Sequence, residues 1–156
     1  MYVFVTIWRF DAPLNQVWDA IKDSEAWPDW WPGVLSVVKL GDGDDRGVGA
    51  VHRSTWKSAL PYKIVFDSEV VEIVEPQLIE IRATGQLEGV GRWTLIAESD
   101  CVTRVRYDWQ VDANKPWMRI LAPALKPFFR WNHDVIMAWG GKGLARKLNC
   151  KLIENK

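Results

Sequence analysis

Few residues of this chain are equipped for proton chemistry. The run Arg130-Trp131-Asn132-His133-Asp134 places polar side chains in the middle of a stretch with helical periodicity. Asn132 falls on its apolar stripe with Phe128 and Val135, and a buried amide needs partners that a ligand can supply. His133 flanks that face, and an imidazole titrates near neutrality unless its surroundings shift it. These two are the candidate catalytic residues. The competing reading is structural: both would bond to the sheet or to a Trp-Pro-rich corner, since a lone histidine without a placed partner seldom makes a catalyst. His52 shares a strand face with Ser54 and Trp56, and a one-residue slip in register decides whether that face looks inward.

Other chemistries lack their residues. His52 and His133 stand alone, so no metal site is expected. Asp42-Gly43-Asp44 opens like a calcium loop, but Arg46 and Arg53 stand where ligands are required, which leaves a polar hairpin turn. Gly140-Gly141-Lys142-Gly143 lacks the spacing and the following Ser or Thr of a phosphate loop. Adjacent helical glycines instead allow close approach to a sheet, or a bend. Gly85, Gly89 and Gly91 do not form a dinucleotide fingerprint, and in strands they mark curvature. There is no Gly-x-Ser-x-Gly, and neither Cys101 nor Cys150 has a recognisable nucleophile setting. No cofactor is expected. The two distant cysteines also speak against a disulfide scaffold.

The abundant residue is tryptophan, with eleven copies in 156 residues. A core of this size needs only a few, so the surplus argues for a roomy aromatic-lined cavity. Apolar residues make up 48% and charged residues 26%, as in one ordinary globular domain. Lys+Arg and Asp+Glu are 20 each, a balance that argues against a nucleic-acid partner. No apolar run reaches the ~20 residues of a membrane span. The opening Tyr2 to Trp8 has neither a basic flank nor a cleavage site, so a cytoplasmic setting is expected.

The elements that must position these groups follow from periodicity. Residues 2–10 read as a strand and 13–22 as a short helix. A second short helix is expected over 24–30, with Ser24 as its cap, ending before Pro32-Gly33. Strands are expected over 34–40, 48–58, 62–75, 78–85, 87–98 and 102–112, joined by tight turns as an antiparallel meander. In the last strand Val105, Tyr107, Trp109 and Val111 share one face, while Arg104, Arg106, Asp108 and Gln110 share the other. A long helix should run from Pro116 to about Leu148, capped by Asn114 and kinked near Pro123 and Pro127. Its inward face would be Trp117, Leu121, Ala124, Phe128, Asn132, Val135, Trp139 and Gly143. The polar end, 149–156, should fray. One domain over 1–149 and a tail over 150–156 result.

This order resembles the START/Bet v 1-like superfamily, and more narrowly its polyketide cyclase/dehydrase-type branch. The residues carrying the likeness begin with Asp11-Ala12-Pro13, Val17-Trp18 and Trp27-Pro28-Asp29-Trp30-Trp31-Pro32. They continue in Leu60-Pro61-Tyr62, Gly85 to Trp93, Lys115-Pro116-Trp117 and Arg130 to Asp134. The resemblance implies an α+β helix-grip fold: a curved antiparallel sheet of about seven strands, two short helices after the first, and a long C-terminal helix in its grip. It also implies a deep pocket between sheet and helix.

On that frame the cavity walls would be Trp56, Tyr62, Phe66, Trp93, Leu95, Tyr107, Trp109, Phe128, Asn132 and Val135. Trp27, Trp30 and Trp31 would either cap the mouth or pin the helical corner to the long helix. Glu69, Arg82 and Arg92 oppose the apolar stripes and should face water. The leading expectation is a binding protein for a hydrophobic, aromatic or lipid-like small molecule, as a monomer or weak homodimer. One alternative is a polyketide cyclase or dehydratase using the same cavity with acid–base assistance. Another is a protein-interaction module, which would have a filled core and an exposed apolar patch.

Overall fold

Tyr2, Phe4, Thr6, Trp8 and Phe10 are buried in alternation along β1 (Tyr2–Phe10), so one face of the first strand is committed to the interior. The computed structural model describes residues 2–58, 60–113 and 116–156. After β1 come α1 (Leu14–Lys22), a 3₁₀ turn (Ser24–Ala26) and α2 (Trp27–Trp30). Six strands follow: β2 (Val34–Gly41), β3 (Val51–Trp56), β4 (Ile64–Val74), β5 (Leu78–Gly85), β6 (Leu87–Ser99) and β7 (Val102–Ala113). The chain closes with α3 (Pro116–Ile120), α4 (Ala122–Leu148) and β8 (Leu152–Asn155).

The strands form one antiparallel sheet of eight, in the order β2-β3-β4-β5-β6-β7-β1-β8, with the long α4 against its concave face. The expected architecture is present, with one strand more than the expected seven. That strand comes from the tail. β8 pairs with the free edge of β1, Trp8 opposite Asn155, and Ile7 and Lys156 exchange both backbone bonds at 3.2 and 3.0 Å. The Asn155 amide also donates to the Ala138 carbonyl of α4 at 3.1 Å. An unpaired strand edge recruits backbone partners whatever their side chains, so the polar tail is ordered rather than frayed.

Smaller corrections have local causes. Ser24 does not cap a helix; Asp23 precedes the 3₁₀ turn, and no side-chain cap bond forms. β3 starts at Val51 because the Asp44 carboxylate accepts the Arg46 and Val48 backbone N–H groups and holds 44–48 in the turn. The expected cap Asn114 lies outside the described residues. The C-terminal helix breaks at Leu121, just ahead of Pro123, while Pro127 lies within α4.

The inward face of α4 is rotated from the expected one. Trp117, Leu121 and Phe128 are exposed; the buried positions are Asn132, Ile136, Met137, Gly140, Gly141, Gly143, Leu144 and Ala145, of which Asn132 and Gly143 were expected. Two indoles lock this face. Trp8 donates to the Met137 carbonyl at 3.1 Å, and Trp31 donates to the Ile136 carbonyl at 2.9 Å. A methyl on Gly140 would lie 2.5 Å from the Trp31 ring, so glycine lets that indole reach the helix backbone. Among the described residues, no helix is long and apolar enough to cross a membrane.

Candidate functional site

Alternation on a strongly curved sheet sends every second side chain of β3 to β7 toward α4, and they do not meet in the middle. A cavity of about 520 Å³ remains. Its walls carry a closed circuit of aromatic rings. Trp93 lies 4.2 Å from Tyr107, which lies 5.8 Å from Trp109; Trp109 is 5.6 Å from Phe66, and Phe66 stacks on Trp56 at 6.3 Å. Trp56 meets Trp31 at 5.1 Å, Trp31 meets Trp27 at 5.1 Å, and Trp27 returns to Trp93 at 6.0 Å. All seven rings line the cavity. Gly91 makes the circuit possible on the β6–β7 side, since a methyl there would lie 2.6 Å from the Tyr107 hydroxyl.

Where β1 meets α4 the lining becomes polar. Tyr2, Asn132 and His133 face the cavity, and the Tyr2 hydroxyl, the Asn132 Oδ1 and both His133 ring nitrogens are buried with no hydrogen-bond partner among the described residues. The His133 ring stacks on Phe4 at 4.3 Å, and Tyr2 sits edge-on to Phe129 at 5.4 Å. The Asp134 carboxylate is 3.8 Å from His133 Nδ1, too far for a hydrogen bond. Burial, reinforced by the Arg130 guanidinium, pushes the His133 pKa down to about 4. The ring is therefore neutral at pH 7, with one nitrogen able to donate and the other to accept. Burial raises the pKa of Tyr107, and burial followed by Asp112 raises that of Tyr2, so both phenols keep their protons.

The opposite end is charged. Lys22, Asp23 and Glu25 face Lys39, Asp42 and Arg46 across it. Lys39 lies 3.6 Å from Glu25 and 3.3 Å from Asp42, and His52 Nε2 lies 3.5 Å from Glu25. The β3 face carrying His52, Ser54 and Trp56 thus looks into the cavity, in a register that sets Ser54 opposite Phe66.

The expected wall residues divide. Trp56, Phe66, Trp93, Tyr107, Trp109 and Asn132 line the cavity. Leu95 is packed in the core behind it. Tyr62 precedes β4 and lies outside the wall; its hydroxyl is buried and unpartnered, with its pKa raised by burial and then by Tyr2. Phe128 is exposed and Val135 is half-buried off the wall, because α4 presents Phe129 and Ile136 instead. Trp27 and Trp31 line the cavity. Trp31 is fully buried and pins the corner to α4, while Trp30 stacks behind it at 5.5 Å. Glu69, Arg82 and Arg92 do not line the cavity; Arg92 pairs with Glu80 at 2.6 Å, and Arg82 lies 3.9 Å from Glu69.

Tyr2, Phe4 and Phe129 are among the wall residues that sequence reasoning missed, as are the aliphatic Ile81 and Ile136. The alternation of β1 carried the signal for the first two. For Phe129 there was no such signal, because its neighbour Phe128 fits helical spacing equally well. Among the described residues, no group of three or more His, Cys, Asp or Glu could hold a metal ion.

Solved structures share this frame. A protein from Thermus thermophilus superposes with a TM-score of 0.75 at 15% identity, covering 94% of this chain and 99% of its own. The Zhui aromatase/cyclase from a Streptomyces species gives 0.72 at 15% identity, covering 94% and 95%. Norcoclaurine synthase from Thalictrum flavum, solved with dopamine and hydroxybenzaldehyde, gives 0.56 at 14% identity, covering 86% and 83%. At such identities the likeness establishes the fold. No curated protein matches the chain. Residues 4–153 match the profile described as polyketide cyclase / dehydrase and lipid transport, and that is the family to which this chain belongs.

Proposed function

We propose that the protein binds a hydrophobic small molecule, aromatic or lipid-like, in the cavity between sheet and α4. The observation that carries this reading is the closed aromatic circuit around a hollow with unpartnered polar atoms at one end. Ring faces suit a flat or extended apolar body. The Tyr2 hydroxyl, Asn132 Oδ1 and neutral His133 suit one or two hydroxyl or carbonyl groups on it. At 520 Å³ the cavity has the size of ordinary small-molecule sites. A ligand burying roughly 300 Å² of apolar surface gains about 7 kcal/mol before the costs of association. The aromatic ligands bound to norcoclaurine synthase on the same frame support the aromatic form of this reading.

The test is a titration followed by tryptophan fluorescence, using a hydroxylated anthraquinone and palmitic acid as probes. Saturable quenching by at least one is expected. Ile81→Trp, which adds an indole to the wall, should abolish it while the thermal midpoint is kept. A flat response to both probe classes would remove the proposal.

The second reading, a cyclase or dehydratase, is favoured by His133. An unpartnered neutral imidazole facing the cavity can donate a hydrogen bond to a reacting carbonyl, beside protonated tyrosines that can hold a developing oxyanion. His133→Gln separates the two readings. A carrier keeps binding its apolar ligand, whereas an enzyme keeps binding and loses turnover of a poly-ketone substrate.

A further inference from the structure

Residues 115–133 contain Lys115, Arg119, Lys126 and Arg130 and not one carboxylate, in a chain whose formal charge is zero. In the fold, 116–133 form α3 and the first turns of α4. The large apolar side chains of this stretch point to water: Ile120 is 78% exposed, Phe128 58%, Trp131 49%, Leu121 48% and Trp117 47%. Ile120 and Leu121 lie three and four residues after Trp117 at the end of α3, and Phe128 and Trp131 lie three apart in α4, so each helix carries its apolar groups on one side. Three of them, Trp117, Leu121 and Phe128, belong to the stripe that the sequence suggested would be buried. Soluble monomers seldom leave so many large apolar groups together in water.

We propose that α3 and the start of α4 form a membrane-docking surface, whose partner is the interface of an anionic lipid bilayer. Charge complementarity and composition both favour that occupant. Trp and Phe lie well at the headgroup boundary, and Leu and Ile reach below it. Arg119 and Lys126 supply cations for lipid phosphates, while Arg130 lies over the Phe4 ring at 5.5 Å, and the stretch itself carries no carboxylate to repel the phosphates. A second copy of the chain is disfavoured, because a two-fold contact would set this cationic patch against itself. Phe129, one residue after the exposed Phe128, lines the cavity, so docking brings the Tyr2–His133 end close to the lipid. The docking itself does not depend on the ligand reading.

Flotation with vesicles tests it. The protein should rise with phosphatidylcholine–phosphatidylglycerol vesicles at low salt, rise poorly with phosphatidylcholine alone, and be released as salt is added. Each juxtamembrane cation strengthens binding roughly fivefold, so Arg119→Glu/Lys126→Glu should weaken it at least tenfold. Ile120→Ser/Phe128→Ser should weaken it on the apolar side. Leu40→Ser, an exposed apolar change on β2, should not. Failure to float with either vesicle overturns the proposal, as does unchanged binding by both double variants. A parent dimer that Ile120→Ser/Phe128→Ser dissociates, without vesicle binding, also overturns it and assigns the patch to self-association. If a variant loses its fold, quenching by lipids brominated along the acyl chain is compared between the unmodified protein and Trp117→Phe/Trp131→Phe: quenching lost with these two exposed indoles supports insertion, and equal quenching in both refutes it.

Discussion

His133 enters the fold as a neutral ring, and that has a pH signature. Its pKa falls from 6.5 in the unfolded chain to about 4 in the folded one, through burial and then Arg130. Between those values the unfolded chain binds a proton that the native ring refuses, so stability rises with pH across the interval. The contribution is complete above 6.5, is lost as pH falls toward 4, and amounts to at most about 3 kcal/mol. Only 12% of the imidazole side chain is exposed, so solvent screens it little. Urea midpoints of the parent and of His133→Gln should therefore converge as pH drops from 7 to 4; parallel curves would mean the ring is not buried neutral. A second residue-scale outcome concerns Gly140. The added methyl of Gly140→Ala would lie 2.5 Å from Trp31, whose ring is held by Trp8, Trp30 and Trp56 and cannot withdraw. Overpacking outweighs the better helix propensity, leaving a net loss of about 1–2 kcal/mol, to be read from chemical denaturation. At this scale Asn132 and His133 were legible, because polar groups interrupt an apolar helix. The partnerless Tyr2 hydroxyl was not, since nothing in a strand's alternation says which inward atom lacks a neighbour.

Elements were legible where side-chain pattern decides them, and illegible where backbone or packing does. The alternation of Val105, Tyr107, Trp109 and Val111 fixed the inner face of β7, and the same faces appear in the fold. β8 escaped because its pairing is made by main-chain groups against an open edge, which no side-chain period encodes. The face of α4 was misjudged by about one residue. Its first turns are apolar on several sides, and the adjacent Phe128 and Phe129 fit either stripe. Only the indole contacts to the Ile136 and Met137 carbonyls, made by distant parts of the chain, choose between them. The tail carries an element-scale prediction. Deleting 151–156 removes the backbone pair between Ile7 and Lys156, the Asp11 N–H bond to the Lys151 carbonyl, and the Asn155 bond to α4. At about 1 kcal/mol for each bond, the loss should be about 2–4 kcal/mol. The bared β1 edge should also promote concentration-dependent association, visible in light scattering. A truncated chain as stable and as monodisperse as the parent would show that β8 is decoration.

The whole molecule keeps a hollow where most domains of its size are filled, and the tryptophan surplus was the legible sign of it. A cavity wall lacks contact partners on one side, so the empty state forgoes dispersion energy that a ligand restores. Binding to the native state alone then couples occupancy to unfolding. At a hundred times its dissociation constant a ligand adds about 2.7 kcal/mol. For a chain of this length that should raise the thermal midpoint by about 5–10 °C. The anthraquinone or fatty acid that quenches tryptophan should produce this rise, growing with the logarithm of its concentration once saturated. Ile81→Trp supplies the control at the same scale: it fills part of the cavity with the protein's own indole, so its midpoint should hold or rise without ligand and respond little to added ligand. An equal ligand-induced rise in parent and variant would place the bound molecule outside the aromatic circuit. The exposed side of α3 and α4 would then become the first place to look, because it gathers Trp117, Ile120, Leu121, Phe128 and Trp131 in water.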